Sequence, residues 1–434
     1  MTETWIENLS DELVSNNTIS SDYYSKFDVK RGLRNQDGSG VLAGLTHVSS
    51  VLGSEKTDIG LSPIHGILKY RGTSLSSIID SCPENERFHF ERICFFLLVG
   101  RMPNSEEVTF VCDFMAEHRV LPNELLDNVI KGIPSKNIMN KLQTSVAALY
   151  AFDENPDALD PKESFRKSLK LLAKLPLIVA YSYLAAFKGN PTFVKPEKHM
   201  SLAESFLYVL YEGKAPSAFE AYVVDLALIL HAEHGGGNNS TFTTYVVSSS
   251  ASDIYSTIAA AVASLKGPLH GAANKKVMEM MGLIKGNVSD WSNIDELKAY
   301  LAKLIRKEAG DKSGKIYGLG HAVYTKSDPR AVAIKSLAQR IAKEVGKEKE
   351  YALYNAIAEH GPDVFKSVKK STKVISPNVD FYSGFVYDCL NIPQEIYTPL
   401  FAMARCCGWC AHRIEETLSG KRIIRPGYKY VNPK

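Results

Sequence analysis

The stretch Lys315-Ile316-Tyr317-Gly318-Leu319-Gly320-His321-Ala322-Val323-Tyr324-Thr325-Lys326-Ser327-Asp328-Pro329-Arg330 opens on two glycines one residue apart. Glycine tolerates backbone angles other residues avoid and lets a ligand approach the main chain. A histidine follows at once. Asp328-Pro329 reads as a helix start, with Asp at the N-cap and Pro at the first helical position. Arg330 then falls in a first turn whose amide donors already point outward. A histidine and an arginine beside a helix N-terminus suit an anionic substrate.

Upstream of this stretch the pattern is helical. Ile294 to Glu308 and Asn274 to about Ile284 read as helices, and Ser252 to Lys266 is a helix rich in small residues. That helix ends at Gly267-Pro268-Leu269-His270-Gly271, which places His270 at a chain bend. Before it, Ser217 and Glu220 form an S-x-x-E capping box for a helix from Ala218 to about Ala232. That helix runs into His231-Ala232-Glu233-His234 and is stopped by Gly235-Gly236-Gly237. Two histidines three apart can bind zinc, but the zincin pattern and an obvious third ligand are absent. His234, nearest the glycine turn, is the better substrate contact.

Further upstream, Asn85–Val99, Val108–Val120, Glu124–Ile130, Lys136–Phe152 and Ser164–Phe187 carry apolar residues on a helical period, with a kink expected at Pro176. Strand signals are confined to the first seventy or so residues. Asp37-Gly38-Ser39-Gly40 carries hairpin chemistry, and Gly66 to Gly72 reads as a short strand. Residues up to about Tyr24 form a polar surface arm. The fold class is therefore mainly α, with a few short N-terminal strands.

Downstream, Tyr351 to His360 is a helix expected to break at Gly361-Pro362. In Asn378-Val379-Asp380-Phe381-Tyr382-Ser383-Gly384, Asp380 follows an extended segment and precedes a helix, so on its own it reads as an N-cap. The last long helix is expected to start at Thr398-Pro399; it carries Arg405 and Arg413 and leads to a basic tail with Arg425.

Composition narrows the class. With 434 residues, 45% hydrophobic and 23% charged, the chain is an ordinary large globular protein. A formal charge of +3 gives no reason to expect a nucleic-acid partner. No apolar run approaches the length that spans a membrane, and the first residues lack a signal peptide's apolar core, so the expected location is cytoplasmic. Cys406, Cys407 and Cys410 lie in one helix-patterned run, so they read as small core residues and no metal site is expected.

Three motifs now stand in order: Gly267 to Gly271, the Gly-x-Gly-His run ending Asp328-Pro329-Arg330, and Asn378 to Gly384. Together they resemble citrate synthases. Phe401 with Arg405, and Arg425 in the tail, match that family's closing motifs, and the turn from His231 to Asn238 resembles its substrate-binding turn. The resemblance runs from about Phe27 to Tyr430. It departs at Leu319, where the family usually has an aromatic residue, and at Thr325, where many members carry an arginine that meets a coenzyme A phosphate.

The resemblance implies a two-domain helical fold: residues 1–271 in a large domain, with the arm and hairpin in 1–72, a small domain over 272–379, and a return to the large domain over 380–434. It implies a homodimer or assembly of dimers, with Arg425 reaching the partner's site. It implies condensation of acetyl-CoA, a co-substrate rather than a permanently bound cofactor, with oxaloacetate. Asp380 would remove the methyl proton, His270 would hydrogen-bond the thioester oxygen, and His321 would polarise the oxaloacetate carbonyl. His234, Arg330, Arg405 and Arg425 would hold oxaloacetate, since arginine offers a planar fork for carboxylates. Ile316, Gly318, Leu319, Gly320 and Lys326 would contact coenzyme A. The same scaffold serves 2-methylcitrate synthases, which use propionyl-CoA. A metal-dependent hydrolase using His231 and His234 is the distant alternative.

Overall fold

The computed structural model describes residues 2–35, 38–58 and 60–431. The chain divides into two compact units, one of residues 1–45 with 423–434 and one of 46–422. The first holds helices Thr2–Asn17 and Asp22–Lys26, an isolated antiparallel bridge between Arg34 and Gly40, and Lys429 over the ring of Phe27.

The expected hairpin turn falls partly outside the described residues, at Asp37. Among those described, the hairpin lies downstream. Strand Ser49–Thr57 pairs antiparallel with Gly60–Tyr70, which pairs in turn with Thr73–Ser74. The ladder slips between Leu52 and Ser54. There the sheet meets another segment: Gly66 N–H donates to Ser327 O at 3.0 Å, and Thr325 Oγ1 donates to Gly53 O at 3.3 Å.

The rest of the larger unit is helical. Helix Gln394–Ser419 is its axis, buried at most positions from Ile396 to Arg413. It packs against Pro161–Phe187, His89–Val99, Ala218–His231 and Ile254–Lys266. Cys406, Cys407 and Cys410 are core residues of this axis, and all seven cysteines are unpaired. Local signals explain the boundaries. Ser217 Oγ accepts from Glu220 N–H and Glu220 Oε2 accepts from Ser217 N–H, closing the expected capping box. Gly100, at φ 96°, ends His89–Val99 in the left-handed conformation that glycine supplies without strain.

Three expectations are corrected. Glu348–Lys369 runs unbroken through Gly361-Pro362, because Gly361 lies against Leu319, where a Cβ would come within 2.6 Å of Leu319 Cδ1. The last helix begins at Gln394, with Pro399 in its second turn. Helices Leu202–Leu210 and Asn239–Ser248 have no counterpart in the sequence reading. Pro161–Phe187 is long and apolar enough by composition to cross a membrane, although Lys174 interrupts its apolar run; most of that stretch is buried among other helices.

Candidate active site

The Gly318–Gly320 loop and the segment before Asp380 are bound to each other. Asn378 N–H donates to Gly318 O at 2.9 Å, Gly320 N–H to Ser376 O at 2.8 Å, and Asn378 Nδ2 to Gly320 O at 2.8 Å. Gly318 and Gly320 have φ of 80° and 93°, so both use the left-handed freedom of glycine. Asn378, not Asp380, caps helix Val379–Cys389, its Oδ1 accepting from Asp380 N–H at 3.0 Å. Asn378 fills the capping role that a single carboxylate was expected to fill, and Asp380 lies in the first turn.

Asp328 is the expected N-cap of helix Pro329–Glu344. Its buried carboxylate also forks onto Arg330, accepting from Nε at 3.0 Å and Nη2 at 2.8 Å, and takes the N–H of Val379 at 3.2 Å. The guanidinium and these donors hold Asp328 below the usual carboxylate range against the opposing effect of burial.

His321 Nδ1 accepts from Val323 N–H at 3.0 Å and Tyr324 N–H at 3.2 Å. Two amide donors on Nδ1 leave the imidazole proton on Nε2. Burial, with the nearby Arg330 charge, pushes His321 down to about 4, so the ring is neutral at pH 7. Nε2–H therefore stands as a donor 3.5 Å from Arg330 Nη2, another donor. Two donors at that spacing suit a shared acceptor oxygen.

Around them, the ring centroid of His234 lies 5.1 Å from that of His321. Burial and the Arg330 charge keep His234 well below its ordinary pKa. Arg405 is fully buried; its Nε donates to His231 O at 2.7 Å, and Nη1 and Nη2 have no partner among the described residues. Buried donors are nearly always satisfied, so this open pair is suited to taking the acceptor oxygens of a ligand. Burial pulls Arg405 down to about 10, which leaves it charged at pH 7.

Asp380 is half-buried. Burial pushes it up to about 6, against the opposing pull of Arg330 and Arg405, so at pH 7 it is an ionised carboxylate of raised basicity. His270 lies in the turn after Ile254–Lys266, with Nε2 3.2 Å from the buried Ser240 Oγ; burial and the Arg405 charge bring it to about 4. Ser240 was missed because its helix, Asn239–Ser248, is polar at its start and has no apolar period.

Most of the chain matches one family. A sequence model described as "Citrate synthase, C-terminal domain" matches residues 37–427. The chain belongs to the citrate synthase family. It is accordingly an acyltransferase of the citrate synthase type. It is 36% identical to citrate synthase 2 of Bacillus subtilis, over 91% of this chain and 95% of that protein. It is 33% identical to the citrate/2-methylcitrate synthase of the same organism, over 91% and 95%.

It superimposes with a TM-score of 0.76 and 27% identity, over 94% of this chain and 97% of that one, on the Thermoplasma acidophilum citrate synthase solved as a ternary complex with carboxymethyl coenzyme A and oxaloacetate.

Within this citrate synthase frame the remaining candidates fall as follows. Ile316 is buried, and Leu319 pairs with Pro377 in an isolated bridge. Thr325 turns towards Gly53, while Lys326 is exposed. Arg425 belongs to the terminal unit, where it is exposed. His231 and His234 do not share a partner: His231 Nε2 faces Tyr387 Oη at 2.8 Å, and His234 Nε2 faces Tyr324 Oη at 3.1 Å. Among the described residues no three His, Cys, Asp or Glu side chains are grouped to hold a metal.

Proposed function

We propose that this chain condenses acetyl-CoA with oxaloacetate and water to give citrate and CoA. The observation that carries the reading is the approach of His321 Nε2 and Arg330 Nη2 to 3.5 Å, together with the two open donors of the buried Arg405. Asp380 takes a proton from the acetyl methyl group as His270 hydrogen-bonds the thioester oxygen. The enolic carbon then attacks the oxaloacetate carbonyl carbon, and His321 stabilises the oxygen that gains charge. Water cleaves the resulting thioester, releasing CoA. Arg330, Arg405 and His234 hold oxaloacetate, with Arg425 supplied by a second subunit of a homodimer or assembly of dimers. Acid–base groups of this kind contribute about 10² to 10⁴-fold each.

In this reading Ile316, Gly318, Leu319, Gly320 and Lys326 line the coenzyme A side, and residues 272–379 act as a small domain that closes on the rest. Seven unpaired cysteines fit a reducing compartment, in keeping with a cytoplasmic enzyme. The similarity to a citrate/2-methylcitrate synthase supports propionyl-CoA as a second acyl donor. One methylene changes pocket preference by only about 1–3 kcal/mol.

The test is free-thiol release with oxaloacetate and either acyl-CoA, with and without a chelator. Acetyl-CoA is expected to be the better donor, and chelation to change nothing. Absence of oxaloacetate-dependent release from either donor would overturn the reading.

A further inference from the structure

Tyr324 touches three residues of the site. Its hydroxyl is 3.1 Å from His234 Nε2, its ring stacks on His321 at 4.8 Å and 25°, and the Arg330 guanidinium carbon lies 5.9 Å from its ring centroid. The side chain is 1% exposed. Its seat is built by the hairpin. A Cβ at Gly66 would come within 2.6 Å of Tyr324 Cδ1, and one at Gly53 within 2.7 Å of Val323 C. Only residues without a side chain let the Tyr324 segment lie this close to the sheet.

We propose that Tyr324 is a positioning residue for oxaloacetate, orienting His234 through its hydroxyl and His321 through its ring. This rests on the citrate synthase reading. A neutral imidazole donates from one nitrogen and accepts at the other, and the bond at one sets the role of the other. The Tyr324 hydroxyl occupies His234 Nε2, so it fixes both the rotation of that ring and the role of Nδ1. Stacking against His321 holds Nε2–H of that residue towards Arg330. The same phenol thus ties the turn after Ala218–His231 to the loop before Pro329–Glu344.

Tyr324→Phe keeps the ring and removes the hydroxyl. It is expected to raise the oxaloacetate KM, and the Kd measured calorimetrically without acyl-CoA, about tenfold, with kcat within about twofold. Adding Tyr324→Phe to His234→Asn is expected to cost nothing more in Kd, because the hydroxyl acts through His234. Tyr324→Leu, which also removes the stack, is expected to lower kcat about a hundredfold. Wild-type KM and Kd in Tyr324→Phe, or full additivity with His234→Asn, would overturn the proposal. If the wild type binds oxaloacetate but releases no CoA, the catalytic reading fails while the Kd comparison still decides the role of Tyr324.

Discussion

Asp328 and Arg330 form a buried two-point fork, and the same carboxylate takes the N–H of Val379, the residue before Asp380. One side chain thereby indexes the proposed substrate arginine against the proposed base. Its short range explains why the two motifs, far apart in the chain, arrive in register.

Asp328→Asn should be costly. It leaves the buried Arg330 charge without its partner, and breaking such a pair costs about 3–5 kcal/mol. Because Asp328 is held below its unfolded pKa, its stabilisation is present above the ordinary carboxylate range and is lost as pH falls through the folded value. Denaturant unfolding at pH 7 checks this. An unchanged midpoint would mean the fork contributes nothing.

Asp380 gives the opposite sign. Its folded pKa of about 6 lies above the unfolded value, so stability falls as pH rises between the two. Asp380→Asn should therefore be inactive yet more stable at pH 8, by up to about 2–3 kcal/mol, with the gain vanishing towards pH 4. In the wild type, kcat/KM should fall on the acid side with an apparent pKa near about 6. A stability difference independent of pH would refute the assignment.

Gly408 is a tight crossing. Its N–H donates to Ala232 O at 3.2 Å, and a Cβ there would come within 2.5 Å of that oxygen. Gly408→Ala should lose about 1–3 kcal/mol and raise the oxaloacetate KM by displacing the turn at His234. Gly286, in helix Ala273–Asn287, has nothing within 4 Å of an added Cβ. Gly286→Ala should be neutral or stabilising by up to about 1 kcal/mol. Thermal melts of the two variants compare them directly; equal melting temperatures would discard the steric argument.

Arg425 can be tested by complementation. Asp380→Ala and Arg425→Ala enzymes should each be nearly inactive. If Arg425 serves the partner's site, mixed dimers carry one site with both defects and one with neither, so mixing should restore activity in part. Verified subunit exchange with no recovery would remove Arg425 from the partner's site.

The sequence by itself determined the helical class, most helix boundaries and the identity of the motifs. Apolar period, capping residues and glycine stops act within a few residues, so they can be read locally: the Ser217–Glu220 box and the stop at Gly100 are examples. Tertiary structure decided what distance along the chain hides. Gly361-Pro362 failed to end a helix because Leu319 packs there, and Asn378 took the cap that Asp380 was expected to fill. The roles of Ser240 and Tyr324 follow from neighbours 30 and 90 residues away, His270 and His234. The raised basicity of Asp380 likewise depends on burial and on the charges of Arg330 and Arg405, which only packing brings to it.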